Sequence, residues 1–199
     1  MDSFYDISIV IIDRNTSLHL ERCIRSCIAQ TYPGRAYELM LIHSGTNEIV
    51  DDILSNYNRR HAINSYVSTM EPADILQSAI KHSTGRFLVF IDSEDYISDY
   101  MLLCQTIFLY DNPSFNGVLV DYWIVNRETD VKMSRVVATE QPILQGTMFK
   151  KDLLLKLSRS EGPKLVYDPE MLKEVLLRNG KFGYLPISFY RKSVNPANS

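Results

Sequence analysis

Apolar positions along the chain alternate between two spacings. Ile7 to Ile12 is a β-branched run broken only by Ser8, which predicts a buried strand. A polar stretch from Asp13 to Ser17 leads to Leu20, Cys23, Ile24, Cys27 and Ile28. Their spacing of three and four residues predicts a helix with one apolar face, which Tyr32-Pro33-Gly34 then breaks. Glu38 to Ile42 reads as a second strand, ending at His43-Ser44-Gly45-Thr46-Asn47. A helix over 48–60, a short strand over Ile63 to Val67 and a helix over 73–82 follow, the last stopping before Gly85. The run 87–91 predicts another strand, and a helix is expected from Asp99 to Tyr110. Strand–helix alternation with short loops predicts a mostly parallel sheet covered on both faces. After Pro113 the rhythm changes. Val118 to Val125 and Val131 to Val137 flank a polar turn at Asn126 to Asp130, the pattern of a β-hairpin. Leu153 to Leu157 and Met171 to Leu177 read as helical and Phe182 to Tyr190 as extended, so the second half is expected to be a mixed lobe fused to the first.

Composition narrows the classes. With 199 residues, 45% of them hydrophobic, the chain suffices for one large domain or two small lobes with an ample core. A net charge of −3 argues against a general nucleic-acid partner or an anionic membrane surface. No apolar run approaches the ~20 residues of a membrane helix. The start, Met1 to Asp6, is acidic and runs directly into a strand, unlike a signal peptide. Three cysteines, odd in number and without metal-type spacing, suggest reduced thiols in a cytoplasmic protein. Cys23 and Cys27 lie on the apolar helix face and read as core filler.

The candidate chemistry is concentrated where strands end. The run 87–91 finishes in Asp92-Ser93-Glu94-Asp95, three carboxylates within four positions. They repel one another unless a cation or solvent offsets the charge, and Mg²⁺ and Mn²⁺ prefer such oxygen ligands, often shared with phosphates. The competing reading is a polar loop in which Asp95 caps the next helix. Three loops, 12–16, 43–47 and 92–95, are expected on one sheet edge, each before a helix N-terminus that favours anions. No G-x-G-x-x-G follows the first strand and no G-x-x-x-x-G-K-[ST] occurs, so neither a dinucleotide fingerprint nor a P-loop is supported.

Ser8-Ile-Val-Ile-Ile-Asp-Arg-Asn, followed by Leu20-Glu-Arg-Cys-Ile-Arg-Ser-Cys-Ile-Ala-Gln-Thr-Tyr-Pro, resembles the opening of glycosyltransferase family 2. That opening reads S-[IV]-[IV]-I-P-T-Y-N and then L-x-x-C-[LI]-x-S-[LI]-x-x-Q-[ST]-[YF]. The stretch from Ala79 to Asp95 is similar to the family's G-I-x-x-A-x-G-[EK]-[YF]-I-x-F-L-D-S-D-D. Weaker likenesses to acceptor-side blocks begin at Val118, Gly146 and Lys181. The resemblance implies a GT-A fold, a Rossmann-like mostly parallel sheet with a smaller mixed acceptor-side lobe. It would form one domain over 1–199, with a nucleotide-sugar half (1–112) and an acceptor half (113–199).

It further implies a nucleotide-diphosphate sugar donor, a carbohydrate or lipid-linked acceptor, and Mn²⁺ or Mg²⁺. The D-x-D motif falls on Asp92, Ser93 and Glu94, with Asp92 and Glu94 as metal ligands and Asp92 and Ser93 at the donor. The T-Y-N block, which packs the base, falls on Asp13, Arg14 and Asn15. Arg14 can either stack on a base or be a solvated loop arginine. The family's D-D-G-S becomes His43-Ser44-Gly45-Thr46, so a neutral imidazole with help from Ser44 would take over a carboxylate's contact, or the loop has no ligand role. The A-R-N block becomes Ile75-Leu76-Gln77, which loses the arginine and leaves Gln77 at the donor. Asp168 or Glu170, in Tyr167-Asp168-Pro169-Glu170, would be the general base of an inverting enzyme, or Asp168 caps the following helix. The expected function is transfer to a cell-surface polysaccharide or glycolipid. The alternative is an inactive family-2-like protein serving as a binding or scaffolding module. No transmembrane segment is expected, and peripheral membrane association and a homo-oligomer stay open.

Overall fold

The computed structural model describes residues 5–14, 18–33, 36–45, 48–58, 61–160 and 181–195. In chain order the elements are β1 (Ile7–Asp13), α1 (Leu20–Ile28), β2 (Tyr37–His43), α2 (Glu48–Tyr57), β3 (Ile63–Val67), α3 (Pro72–His82) and β4 (Phe87–Asp92). Then come β5 (Tyr96–Ile97), α4 (Met101–Asp111), β6 (Gly117–Asn126), β7 (Lys132–Val136), β8 (Met148–Lys150), α5 (Lys151–Ser160) and β9 (Phe182–Val194). Every element expected within these residues is present, within a few residues of its expected ends. The helix expected over Met171 to Leu177 lies outside the described residues.

The strands form one sheet in the order β3-β2-β1-β4-β8-β6-β9-β5, with β7 beside β6. Strands β1 to β4 are parallel, with Asp13 opposite His43 and Ile12 opposite Asp92. The first strand is apolar on both sides because both faces are covered. Ile7, Ile9 and Ile11 join a cluster with α1, α2 and α4, while Val10 and Ile12 join one with α3 and α5. Strands β2 and β4 divide alike, Leu39/Met40 and Val89/Phe90 pointing to opposite faces. Each buried Ile or Leu contributes roughly 1.5–3 kcal/mol, which fixes this register against a one-residue slip.

The second half extends the same sheet. Strand β8, which sequence reading missed, pairs antiparallel with both β4 and β6 and joins the parallel half to the hairpin. Strand β9 runs parallel to β6 along its length and holds β5 on its other edge. Only Ser93, Glu94 and Asp95 separate β4 from β5 in sequence, yet β8, β6 and β9 lie between them in the sheet. The sheet therefore curls back on itself, and the acidic turn spans the gap.

Candidate active site at the carboxyl edge of the sheet

The parallel register brings the ends of β2, β1 and β4 side by side, in the order His43, Asp13, Asp92. At the usual strand spacing, His43 and Asp92 are about 10 Å apart, so a ligand touching both must be extended.

The acidic turn is tightly built. Asp92 Oδ1 accepts the Glu94 N–H (3.1 Å), the Asp92 carbonyl accepts the Asp95 N–H (2.9 Å), and the Ser93 N–H donates to the Ile12 carbonyl (2.9 Å). The Ser93 hydroxyl donates to Asp13 Oδ1 at 2.8 Å, and both side chains are buried. Asp13 and Ser93, expected as donor contacts, thus lock the β1 loop to the acidic turn. Burial pushes the Asp92 carboxyl above its usual value; Asp13 pushes the same way, while the Glu94 N–H, Arg14 and Arg127 pull it down. Arg14 is exposed and near enough to act on Asp92 electrostatically.

Asp95 turns inward. Its Oδ2 accepts the Tyr190 hydroxyl (2.5 Å) and its Oδ1 the Ser193 N–H (2.7 Å). Burial first, then the Asp92 charge, pushes its carboxyl up to about 7. The helix-cap reading of Asp95 is therefore corrected: the backbone N–H of Leu102, in the first turn of α4, donates instead to Gln30 Oε1 at 3.2 Å. Gln30 also donates to the Ser98 carbonyl (2.9 Å), which gives the Q-T-Y-P block a structural reason.

On the β2 side, His43 is buried and its Nδ1 lies 2.6 Å from the Gly45 carbonyl. A carbonyl only accepts, so Nδ1 carries the proton and a neutral ring keeps Nε2 as an acceptor. Ser44 and Gln77 line one groove of about 580 Å³ with Ser68, Thr69 and Lys81. Leu76, where the family carries arginine, is buried in the core. Asn15, Asp168 and Glu170 lie outside the described residues.

Sequence reading missed two arginines. Arg22 on α1 donates to the Glu94 carbonyl (2.7 Å), and Arg127 in the β6–β7 turn ion-pairs with Glu94 Oε2. Neither position carries a motif; the partners are brought together by the curl of the sheet. As for a metal, no cluster of three or more His, Cys, Asp or Glu able to hold one occurs among the described residues. Asp92 and Glu94 are two hard oxygen donors in one turn. That set fits a divalent ion whose remaining ligands come from phosphate and water.

The family model for glycosyl transferase family 2 matches residues 8–176. The chain belongs to glycosyl transferase family 2. A similar family member is the poly(ribitol-phosphate) beta-glucosyltransferase of Bacillus spizizenii, 26% identical over 178 residues, covering 84% of this chain and 26% of that protein. The crystal structure of Staphylococcus aureus TarS 1-349 in complex with UDP superposes with a TM-score of 0.73 at 16% identity, over 96% of this chain and 61% of that one. A mannosyltransferase from Pyrobaculum calidifontis, in complex with GDP-Man and Mn²⁺, gives 0.72 at 15% identity, over 96% and 57%. The fold is GT-A, as these likenesses show. The chain spans about a quarter of the length of the Bacillus relative. No helix among the described residues is long and apolar enough to cross a membrane.

Proposed function

We propose that this family 2 chain transfers a sugar from a nucleotide-diphosphate donor to a polymer or lipid-linked acceptor, with inversion and with Mn²⁺ or Mg²⁺. The observation that carries this reading is the Asp92–Glu94 turn sharing one sheet edge with the His43–Ser44 loop. His43 Nε2 accepts an N–H of the base, Arg14 stacks on it, and Gln77 and Ser44 bound its outer side. Asp92 and Glu94 hold the divalent ion, which supplies positive charge for the leaving diphosphate. Asp13 and Ser93 keep the two loops in register. Asp168 or Glu170 takes the proton of the acceptor hydroxyl as its oxygen attacks the anomeric carbon opposite the diphosphate. The proton ends on the carboxylate, and the configuration inverts. The poly(ribitol-phosphate) named for the Bacillus relative supports an anionic polyol-phosphate acceptor. Three free cysteines support a reducing, cytoplasmic site of action.

A second reading, an inactive scaffold, draws on Glu94 already being ion-paired and on Leu76 being core. Thermal shift over a panel of nucleotide sugars, with and without Mn²⁺, separates the two, because a ligand of the folded state raises the midpoint by mass action. The enzyme reading expects a selective, Mn²⁺-dependent shift that Glu94→Gln removes. That variant should lose at most about 1 kcal/mol of stability, the scale of a part-exposed ion pair. Indifference to every nucleotide sugar supports the scaffold.

A further inference from the structure

Two arginines meet the acidic turn, and they are held differently. Arg22 is a fixed post. It donates to the Glu94 carbonyl and to Ser193 Oγ (3.0 Å), ion-pairs with Asp130, and lies 4.6 Å from the Tyr96 ring centre. Arg127 is anchored by its backbone, the N–H donating to the Val194 carbonyl at 2.9 Å. Among the described residues its side chain, about a third exposed, is tied only by the ion pair to Glu94, whereas Arg22 makes several contacts; the Nε of both is buried with no acceptor there. A guanidinium carries five N–H donors, so much of the Arg127 fork is unspent. Beside it lies a cleft of about 460 Å³ lined by Ile124, Met133 and Ser134, which gives the side chain room to swing away.

Glu94 is the carboxylate to which the reading above assigns the divalent ion, and the present inference rests on that reading. A carboxylate between a guanidinium and a divalent ion brings two cations close together, and their repulsion weakens whichever binds second. We propose that Arg127 is a built-in competitor for the metal carboxylate: its guanidinium neutralises Glu94 until a divalent ion displaces it. The bare protein then holds metal weakly, and the ion is retained chiefly when a diphosphate supplies further oxygen ligands. Arg127 is in this sense a positioning residue, acting on the metal through Glu94.

The test measures free Mn²⁺ by electron paramagnetic resonance during titration of the full chain, with Mn²⁺ as the only added ligand. Arg127→Gln should bind Mn²⁺ roughly 2- to 10-fold more tightly than wild type, the scale of a part-exposed ion pair. Lys132→Gln, which removes a cation from the same hairpin without touching Glu94, should leave the affinity unchanged. Equal affinity in wild type and Arg127→Gln, or equal tightening in Lys132→Gln, overturns the competition and leaves the metal assignment standing. No Mn²⁺ uptake by either wild type or Arg127→Gln overturns the competition, and the metal assignment is then decided by the Mn²⁺-dependent nucleotide-sugar shift. Arg127→Met, which keeps the apolar stem on the hairpin, repeats the comparison if the glutamine variant folds poorly.

Discussion

Asp95 has lost nearly all its water, and its carboxyl, pushed from 3.8 to about 7, makes it the most pH-sensitive group of the acidic turn. Below about pH 3.8 folded and unfolded chains both carry the proton. Between there and about pH 7 only the folded chain keeps it, so the folded state binds more protons and stability falls as pH rises through that window. Above it the loss is complete and the curve flattens. Urea unfolding in a chelating buffer between pH 4 and 8 should show this decline, and Asp95→Asn should remove most of it. At the acceptor side, Asp168→Asn or Glu170→Gln should cut transfer by roughly 10²–10⁴-fold, the scale of a lost general base. Donor affinity, measured by titration, should stay near wild type, because deprotonation occurs on the acceptor. Full activity in both variants would place the base elsewhere. The cluster of three carboxylates was legible in the chain, since charge spacing is a local property. Their different fates were not. Asp92 faces the edge, Glu94 meets Arg127 and Asp95 points into the core. Which one is buried depends on Tyr190 and Ser193, about a hundred residues away.

Elements with enough residues to display a period were readable; those without were not. Strands β1, β2 and β4 show apolar runs and helices α1, α2, α3 and α5 an apolar face in the sequence, and α4 is a long apolar stretch, whereas β5 has two residues and β8 three, too few for any alternation to register. Their strand character comes from the neighbours they pair with. The start of β4 depends on a different feature. Gly85 packs against the backbone of β1, where an added Cβ would stand 2.5 Å from the Ser8 nitrogen and 2.6 Å from the Ile7 carbonyl carbon. Its N–H donates to Ser8 Oγ (2.9 Å), which in turn donates to the buried carboxylate of Glu38 (2.6 Å). Because backbone, not a flexible side chain, blocks the space, Gly85→Ala must push β1 and β4 apart. We expect a loss of about 1–3 kcal/mol, the scale of overpacking, read as a lower urea midpoint with an unchanged slope.

The described residues hold together as a curled sheet whose β9–β5 end returns to β4, the two meeting at the acidic turn. Tyr190 joins them: its hydroxyl donates to Asp95 and accepts the Asp92 N–H at 3.3 Å. Tyr190→Phe leaves both groups short of a partner while keeping the ring, at a cost of about 1–3 kcal/mol. It should also weaken Mn²⁺-dependent nucleotide binding, although Tyr190 is not expected to touch the nucleotide. Unaltered binding in a destabilised variant would mean that the turn keeps its shape without β9. The two-faced parallel half could be anticipated from its strand–helix rhythm. The closure could not, because it pairs β5 with β9 across some ninety residues of intervening chain. That separation bears on how the protein comes to exist. A growing chain can assemble β1 to β4 with their helices as soon as β4 has emerged, since the longest closure there, β1 onto β4, spans about eighty residues that are all made by then. The residues that hold the acidic turn are synthesised last among its partners. During synthesis or refolding, the ability to bind a ligand at this edge should therefore appear late, after most of the helical content is already in place.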